Sequence, residues 1–283
     1  MQINISKVQN EKPIEELLKF GVINIDKPTG PTSFSVSNYI AKQLKLNKTS
    51  HMGTLDPQVT GILPVLLGRA CRLSNYFMHK NKTYVGIMRL HKDISDDTLC
   101  SVVKQFIGKI KQLPPVRSSV KREVRERDVI SFDILEREGK DVLFQTEVQA
   151  GTYIRKICSD IGEKIGGAHM LELRRTKAGI FDESKIYTLY DFDKAIEEYK
   201  KGDESTLRAM IVPAEIISTL LPVVQIKKPL IKQLLTGKPL MKGDMEKSFE
   251  AEHFVVFDKD VFIGVYKGVN EGDIIARAEF IFN

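Results

Sequence analysis

Alternating apolar and polar residues mark the first predicted strand. They alternate over Gly21–Lys27, and this segment runs into a Pro-Thr-Gly-Pro turn. A helix should follow, because Ser33 can cap its start. Apolar side chains recur every four positions in that helix, at Val36, Ile40 and Leu44.

The next part of the chain mixes helical and strand periodicities. One helix should open at Ser95 and another should carry an apolar stripe at Ile154, Ile157, Ile161 and Ile165. Short apolar or alternating runs predict strands over residues 62–67, 82–91, 129–136, 141–148 and 170–177. Because strands and helices do not alternate strictly, we expect an α+β domain with a largely antiparallel sheet.

Beyond Pro222 the pattern changes to short β-rich segments punctuated by Gly and Asp. A polar, glycine-containing break at residues 200–206 precedes this change. Closely spaced short strands with turn residues between them are typical of a small β-barrel. We therefore expect a second domain over residues 222–283.

Charge is unevenly distributed along the 283 residues, which carry a formal net charge of +6. Residues 222–283 hold nine Lys or Arg and nine Asp or Glu, so this segment is neutral. The preceding residues hold 34 basic and 28 acidic side chains. A surface that binds phosphate is therefore expected mainly before residue 222.

The three cysteines, Cys71, Cys100 and Cys158, lie far apart and show no CxxC or Cys/His ligand spacing. This pattern disfavours a disulfide framework and a zinc site, so no metal is expected. The first residues lack the apolar core of a signal peptide, and no run reaches membrane-spanning length. We expect a cytoplasmic protein with no membrane partner.

The loop at residues 50–57 (SHMGTLDP) is the most informative stretch of the chain. Pro57 restricts Asp56 to a non-helical conformation, and Gly53 permits a sharp turn just before it. A carboxylate on a stiff polar loop is how a catalytic group is presented on a sheet scaffold. Taken alone, a turn-forming Asp before Pro is the commoner explanation.

The surrounding pattern resembles a known catalytic motif. HxGTLDP at residues 51–57 and TGxLP at 60–64 are similar to the motif of the pseudouridine synthase family that includes the bacterial tRNA T-loop enzyme and dyskerin. The resemblance continues, in the family's order, through residues 21–30 (GVINIDKPTG), 82–84 (KTY), 151–155 (GTYIR) and 168–176 (AHMLELRRT). It implies a catalytic domain over residues 21–221 with the pseudouridine synthase fold, a mainly antiparallel mixed sheet flanked by helices.

The reaction that the resemblance implies is the isomerisation of uridine to pseudouridine in RNA. The N-glycosidic bond breaks, the base turns while bound, and it rejoins the sugar through carbon. There is no redox change and no atom is added, so no cofactor is expected. The ionised Asp56 can serve as a nucleophile at the sugar or as a base on it, and the sequence leaves both roles open.

Two further catalytic residues follow from the resemblance. Arg155 matches the arginine that pairs with the catalytic aspartate, and a guanidinium there would keep Asp56 ionised. Tyr84 matches the tyrosine that stacks on the target base and can remove its carbon-bound proton. Without the motifs, Arg155 would be expected on a solvated helix face and Tyr84 would be an ordinary strand aromatic.

Four residues are expected around the substrate. His51 resembles the histidine that fills the gap when uridine leaves its stack, a step needed because the reacting atoms are inaccessible inside folded RNA. Leu173 matches an apolar residue near the target base, and Tyr153 matches a second pocket tyrosine. Lys27 is expected mainly to pack against the active-site loop, with a phosphate contact as the alternative.

RNA contacts are expected in two further places. Residues 117–127 hold five basic and two acidic side chains, and with residues 113–116 (LPPV) they resemble a segment near the active site in the dyskerin branch. A solvated face is the usual explanation of such a run, but its place among the motifs favours RNA contact by Arg117, Lys121 and Arg122. The C-terminal segment resembles a PUA domain whose RNA-facing turn holds Gly237 and Lys242.

The resemblance favours the archaeal dyskerin-like branch. Residues 1–20 resemble the extension that packs on the C-terminal domain there, and the stretch between Tyr84 and Tyr153 is too short for the bacterial enzyme's tRNA-gripping insert. The branch implies a box H/ACA complex in which a guide RNA pairs with an rRNA or tRNA substrate. Its three protein partners would be a zinc-ribbon-type, a β-barrel-type and a kink-turn-binding protein. The alternatives are a stand-alone tRNA pseudouridine synthase and a non-catalytic RNA-binding scaffold.

Overall fold

The computed structural model describes residues 3–114, 121–227, 230–245 and 251–283. The helices are α1 Ile5–Glu11, α2 Ile14–Lys19, α3 Ser33–Gln43, α4 Ser74–Met78, α5 Asp96–Lys104, α6 Ile154–Ile165, α7 Leu189–Lys200, α8 Ser205–Met210 and α9 Ile231–Leu234. The strands are β1 Gly21–Lys27, β2 Thr49–His51, β3 Thr60–Leu67, β4 Lys82–Leu90, β5 Gly108–Gln112, β6 Arg125–Glu138, β7 Asp141–Val148, β8 Ala168–Ala178, β9 Phe181–Asp182, β10 Ile211–Pro213, β11 Val223–Gln225, β12 Leu240–Met241, β13 His253–Asp258, β14 Val261–Glu271 and β15 Ile274–Ile281.

A ten-stranded sheet forms the larger part of the protein. Eight of its strands follow the order β10-β1-β3-β8-β4-β7-β6-β5, while β2 pairs with β3 and β9 pairs with β8. Its strands pair antiparallel except where β3 meets β8. That parallel junction is short, joining Thr60 to Arg174 and Gly61 to Arg175. The predicted α+β fold with a mainly antiparallel mixed sheet and flanking helices is confirmed.

The start of α3 differs from the prediction. Thr32, not Ser33, is the capping residue, and its side chain accepts a hydrogen bond from the Ser35 amide. Ser33 is the first helical residue and is fully buried. The Ser33 hydroxyl instead forms hydrogen bonds with the backbone of Leu55. Leu55 lies 22 positions away, so the sequence around Ser33 does not reveal this partner.

A smaller sheet of five strands lies at the C-terminal end, in the order β11-β13-β14-β15-β12. It curls into a half-barrel, which confirms the expected β-rich unit. Phe20, at the end of α2, stacks on Phe262 and Phe282 with ring centroids 5.1 and 4.2 Å apart. Lys7 of α1 also forms a 2.7 Å ion pair with Asp260. The first helices therefore contact this sheet directly, and the division at residues 20, 221 and 222 stays a prediction.

Candidate active site

Three side chains from beneath hold the backbone of the loop that carries Asp56. The carbonyl of Gly53 accepts a 3.1 Å hydrogen bond from Arg175, and that of Leu55 accepts a 3.0 Å bond from Ser33. The third bond, 3.1 Å long, runs from the Lys27 ammonium to the carbonyl of Pro57. Leu55 is buried in an apolar cluster below the loop, whereas the next residue, Asp56, is exposed.

Lys27 is fully buried at the end of β1. The Lys27 ammonium also donates a 2.7 Å hydrogen bond to the carbonyl of the next residue, Pro28. Burial lowers the pKa of Lys27, and the negative charge of Asp56 opposes that lowering. Lys27 therefore packs against the loop from behind, and its predicted part in substrate binding stays a prediction.

Arg155 reaches Asp56 from α6. One guanidinium nitrogen donates a 2.6 Å hydrogen bond to a carboxylate oxygen of Asp56, and both side chains are half exposed. Arg155 follows the start of the helix, where Tyr153 is the capping residue. The buried Gln112 side chain donates to the Tyr153 carbonyl at 3.1 Å and accepts from its amide at 3.0 Å. This pair of bonds fixes the helix terminus from which Arg155 extends.

Tyr84 and Leu173 lie in an apolar cluster that also contains Leu55, the residue before Asp56. Tyr84 is on β4, opposite Arg175 of the neighbouring strand. Leu173 lies on β8 and faces Gly86, where an added Cβ would come within 2.8 Å of the leucine side chain. The predicted catalytic tyrosine and apolar pocket residue therefore lie on neighbouring strands, in the same apolar cluster as Leu55 of the loop.

Arg175 is an almost completely buried guanidinium at the centre of this arrangement. It donates to the carbonyl of Ile62 at 2.8 Å as well as to Gly53. Burial lowers its pKa, whereas charge and hydrogen-bond interactions with the Tyr84 side chain raise it. Arg175 therefore connects the catalytic loop, β3 and Tyr84 through one rigid group.

His51 ends β2 and is partly buried. Its Nδ1 atom is buried and has no hydrogen-bond partner in the described part of the chain. Burial lowers the pKa of His51, and the positive charge of Arg175 lowers it further. A neutral imidazole near the loop is suited to packing against a base.

The remaining predicted RNA contacts fall on two other segments of the chain, one of which is only partly described. Arg117 is outside the described residues, whereas Lys121 and Arg122 are exposed, and Lys121 pairs with Glu123 at 3.1 Å. Gly237 and Lys242 are exposed on the C-terminal unit, and Gly237 adopts φ +90°, as a turn glycine does. These five positions stay predictions.

Three positioning residues were missed by the sequence reasoning: Ser33, Gln112 and Arg175. Ser33 was interpreted as a helix cap, and Gln112 carried no signal. Arg175 belongs to the AHMLELRRT motif at residues 168–176, but nothing in that motif indicates that its side chain is buried. Each acts through backbone atoms of a segment distant in sequence, so only the fold reveals it.

Neither a metal cluster nor a membrane span was found among the residues that the structure describes. No three His, Cys, Asp or Glu side chains come together there as a metal site. No helix in the same ranges has the length and apolar character to cross a membrane.

Three family models match consecutive parts of the chain. The model described as "TruB family pseudouridylate synthase (N terminal domain)" matches residues 41–154, and "tRNA pseudouridylate synthase B C-terminal domain" matches residues 155–218. The model of the "DKCLD (NUC011) domain" matches residues 9–37. Together they span the catalytic loop, α6 and the strand from which Lys27 reaches the loop.

Archaeal proteins are similar over most of this length. A probable tRNA pseudouridine synthase B of Methanopyrus kandleri is 42% identical over 268 residues, covering 94% of this chain and 74% of that protein. The protein of the same name from Archaeoglobus fulgidus is 43% identical, covering 95% of this chain and 82% of its own.

Solved structures show the same fold. The "Crystal Structure of a Cbf5-Nop10-Gar1 Complex" contains a chain 39% identical to this one, with a TM-score of 0.87 over 97% of this chain and 88% of that one. A chain of the "Structure of H/ACA RNP bound to a substrate RNA containing 2'-deoxyuridine" is 36% identical, with a TM-score of 0.86 over 97% and 89% of the two chains.

Proposed function

The chain belongs to the TruB family of pseudouridylate synthases, and we propose that it is the catalytic subunit of an archaeal box H/ACA complex that isomerises uridine in guided RNA. The likeness to chains of H/ACA complexes extends over 97% of the residues. That span includes the first helices and the C-terminal half-barrel as well as the catalytic domain. The proposed substrate is rRNA, with tRNA as a further one, and the proposed compartment is the cytoplasm.

The observation that carries the proposed chemistry is the ion pair of Asp56 and Arg155 on an exposed, fixed loop. The guanidinium stabilises the ionised carboxylate and orients one of its oxygens. Asp56 then acts on the ribose, either as a nucleophile at the carbon that holds the base or as a base on the sugar. In both cases the N-glycosidic bond breaks, the uracil turns in the pocket, and a carbon–carbon bond replaces the original bond.

Tyr84 and Leu173 are proposed to hold the detached uracil while it turns. Both lie in the apolar cluster beneath Asp56, so a flipped base would meet an aromatic ring and an aliphatic side chain. The proton that leaves the ring carbon after rejoining is proposed to pass to the Tyr84 hydroxyl, which releases its own proton. The ring nitrogen freed from the sugar gains a proton, so the isomerisation has no net proton change. His51 and Tyr153 are proposed to contact the nucleotide from the sides of the pocket.

The partners are proposed from the composition of the related complexes. Two of the similar structures contain Nop10, one contains Gar1, and one contains a substrate RNA. We propose that this chain binds a guide RNA, a small zinc-ribbon-type protein, a β-barrel-type protein and a kink-turn-binding protein. Arg117, Lys121, Arg122, Gly237 and Lys242 are proposed to contact RNA in that assembly.

A stand-alone tRNA pseudouridine synthase is the second candidate. It is favoured by the names of the archaeal relatives, which are described as probable tRNA pseudouridine synthases. A non-catalytic scaffold is disfavoured, because Asp56 and Arg155 are present and paired.

Reconstitution separates these functions. The chain and its partner proteins are combined with a substrate RNA carrying tritium at C5 of uridine, with and without an H/ACA guide. Tritium release that depends on the guide is expected. Equal tritium release from unguided tRNA would instead establish the stand-alone enzyme. No release from either substrate would contradict both enzymatic functions and favour the non-catalytic scaffold.

A further inference from the structure

A groove lies between α3 and β2, outside the apolar cluster that contains Tyr84, Leu173 and Leu55. Its volume is about 530 Å³, and its lining runs from Phe34 at the start of the helix to His51 at the end of the strand. His51 is two residues before Gly53, whose carbonyl Arg175 holds. The groove therefore leads directly to the catalytic loop.

The groove is positively charged. Lys42, Lys45 and Lys48 line it, and all three ammonium-bearing side chains are exposed. The sequence from Lys27 to Leu55 contains four lysines and no Asp or Glu. Within the described ranges, no ion pair involves any of the three groove lysines. Their charges are therefore available to an anionic ligand.

Lys45 adopts a backbone conformation that usually belongs to glycine. Its φ is +54°, at the position after the C-terminal cap of α3, where the Leu46 amide closes the helix by bonding to the Ala41 carbonyl at 2.8 Å. A side chain destabilises this left-handed conformation. The lysine at this turn places one of the three positive charges of the groove just beyond the end of α3.

Phe34 gives the groove an aromatic surface. Its side chain is 71% exposed, and it follows Ser33, which holds the backbone of Leu55. Exposed aromatic rings beside basic side chains are the combination that binds single-stranded nucleic acid, because bases stack on the ring while phosphates meet the charges.

We propose that the groove binds the unpaired substrate strand next to the target uridine, with phosphates on Lys42, Lys45 and Lys48 and a base on Phe34. This assignment rests on the proposed function, since it supplies the path by which the RNA reaches Asp56. An acidic segment of a partner protein would satisfy the charges but would leave the exposed ring without a stacking partner.

The test uses the complete guided complex and the triple variant Lys42→Gln/Lys45→Gln/Lys48→Gln. Each lysine that binds a phosphate of a single strand contributes about 0.7 to the slope of log affinity against log salt, so the triple variant should lower that slope by about 2. Phe34→Ala should weaken substrate binding about 10-fold, and the single-turnover rate at saturating RNA should not change in either variant. An unchanged salt slope in an active complex would overturn the proposal, and loss of a partner protein with unchanged RNA affinity would assign the groove to that protein.

Two glycine substitutions distinguish the effect of losing the Lys45 ammonium from the effect of relieving the left-handed backbone conformation. Lys45→Gly should raise the melting temperature and weaken substrate binding. Lys259→Gly is the matched control, because Lys259 also has φ +54° but lies in the C-terminal half-barrel. It should raise the melting temperature and leave substrate affinity unchanged. Equal RNA affinity of the two variants would contradict a role for Lys45. Inactivity of the unmodified complex would count against the proposed function, whereas direct binding of substrate RNA would still test the groove.

Discussion

The carboxylate of Asp56 and the guanidinium of Arg155, 99 positions apart in the sequence, are joined by a 2.6 Å hydrogen bond. Each side chain is 53% exposed. Ion pairs in such surroundings contribute little to stability, on the order of 0–1 kcal/mol. We therefore expect the pair to matter for the position of the carboxylate rather than for folding.

Asp56→Asn should abolish turnover without unfolding the protein. The amide keeps the size of the carboxylate but cannot act as a nucleophile or a base, so we expect the single-turnover rate to fall about 10⁴-fold or more. The free energy of unfolding should change by less than about 1 kcal/mol. Tritium release and urea denaturation measure the two quantities. Turnover near that of the unmodified protein would remove Asp56 from the mechanism.

Ser33→Ala should loosen the catalytic loop. Its buried hydroxyl accepts from the Leu55 amide at 2.8 Å and donates to the Leu55 carbonyl, and the variant leaves both groups unsatisfied. We expect a loss of about 1–3 kcal/mol in the free energy of unfolding. A displaced Asp56 should also slow turnover, by up to about 10²-fold.

Ser35→Ala is the matched control, because Ser35 lies on the same helix with its hydroxyl exposed against Thr32. It should change the free energy of unfolding by less than about 0.5 kcal/mol. Equal effects of the two serine substitutions would show that the bond to Leu55 does not hold the loop.

Lys82 should make the stability of the protein rise with pH in the alkaline range. Burial, together with the positive charge of Arg175, lowers the pKa of Lys82 to about 8. Between pH 8 and the normal lysine pKa of 10.5, the unfolded chain binds the proton that the folded chain has released. The free energy of unfolding should then rise by at most about 1.4 kcal/mol per pH unit from this group.

The check compares the protein with Lys82→Met in urea denaturation from pH 7.5 to 10. As the pH rises, the free energy of unfolding of the unmodified protein should increase relative to that of the Lys82→Met variant. Parallel pH profiles would mean that Lys82 keeps its ordinary pKa in the folded state.

Lys12 should be needed for the stability of the contact between the first helices and the rest of the protein. Its ammonium pairs with the fully buried carboxylate of Glu215. Burial raises the pKa of Glu215, and the charge of Lys12 opposes that rise. Lys12→Met would leave the buried charge uncompensated, so we expect a loss of about 3–5 kcal/mol at neutral pH.

This loss should become smaller in acid, since a carboxyl with a raised pKa favours the folded state where it is protonated. Urea denaturation at pH 7.5 and pH 5 measures the difference. The double variant Lys12→Met/Glu215→Gln is the control, because it removes both charges and should recover stability at pH 7.5. A loss in Lys12→Met that does not depend on pH would contradict the proposed coupling.

The sequence was sufficient for the order and type of the main elements. The stripe of four isoleucines in α6 reflects burial of one helix face. The strand over Gly21–Lys27 forms where alternation predicted it, but it is buried on both faces, and its polar residue Asn24 is buried as well. Helix boundaries were less well determined: the sequence predicted Ser33 as the capping residue of α3, whereas the helix is capped by Thr32. The motif around Asp56 also fixed the family before any contact was known.

Only the tertiary structure decided how the candidate site is assembled. The hydrogen bonds from Ser33, Lys27 and Arg175 join segments 22, 30 and 122 positions apart, and nothing in the sequence gives the direction of those side chains. The positive groove likewise depends on how α3 and its connection to β2 bring Lys42, Lys45 and Lys48 into one lining. Local periodicity specifies which face of a helix or strand is buried. Contacts between polar groups that are distant in sequence depend on strand order and register, and these are determined by the packing of the whole chain.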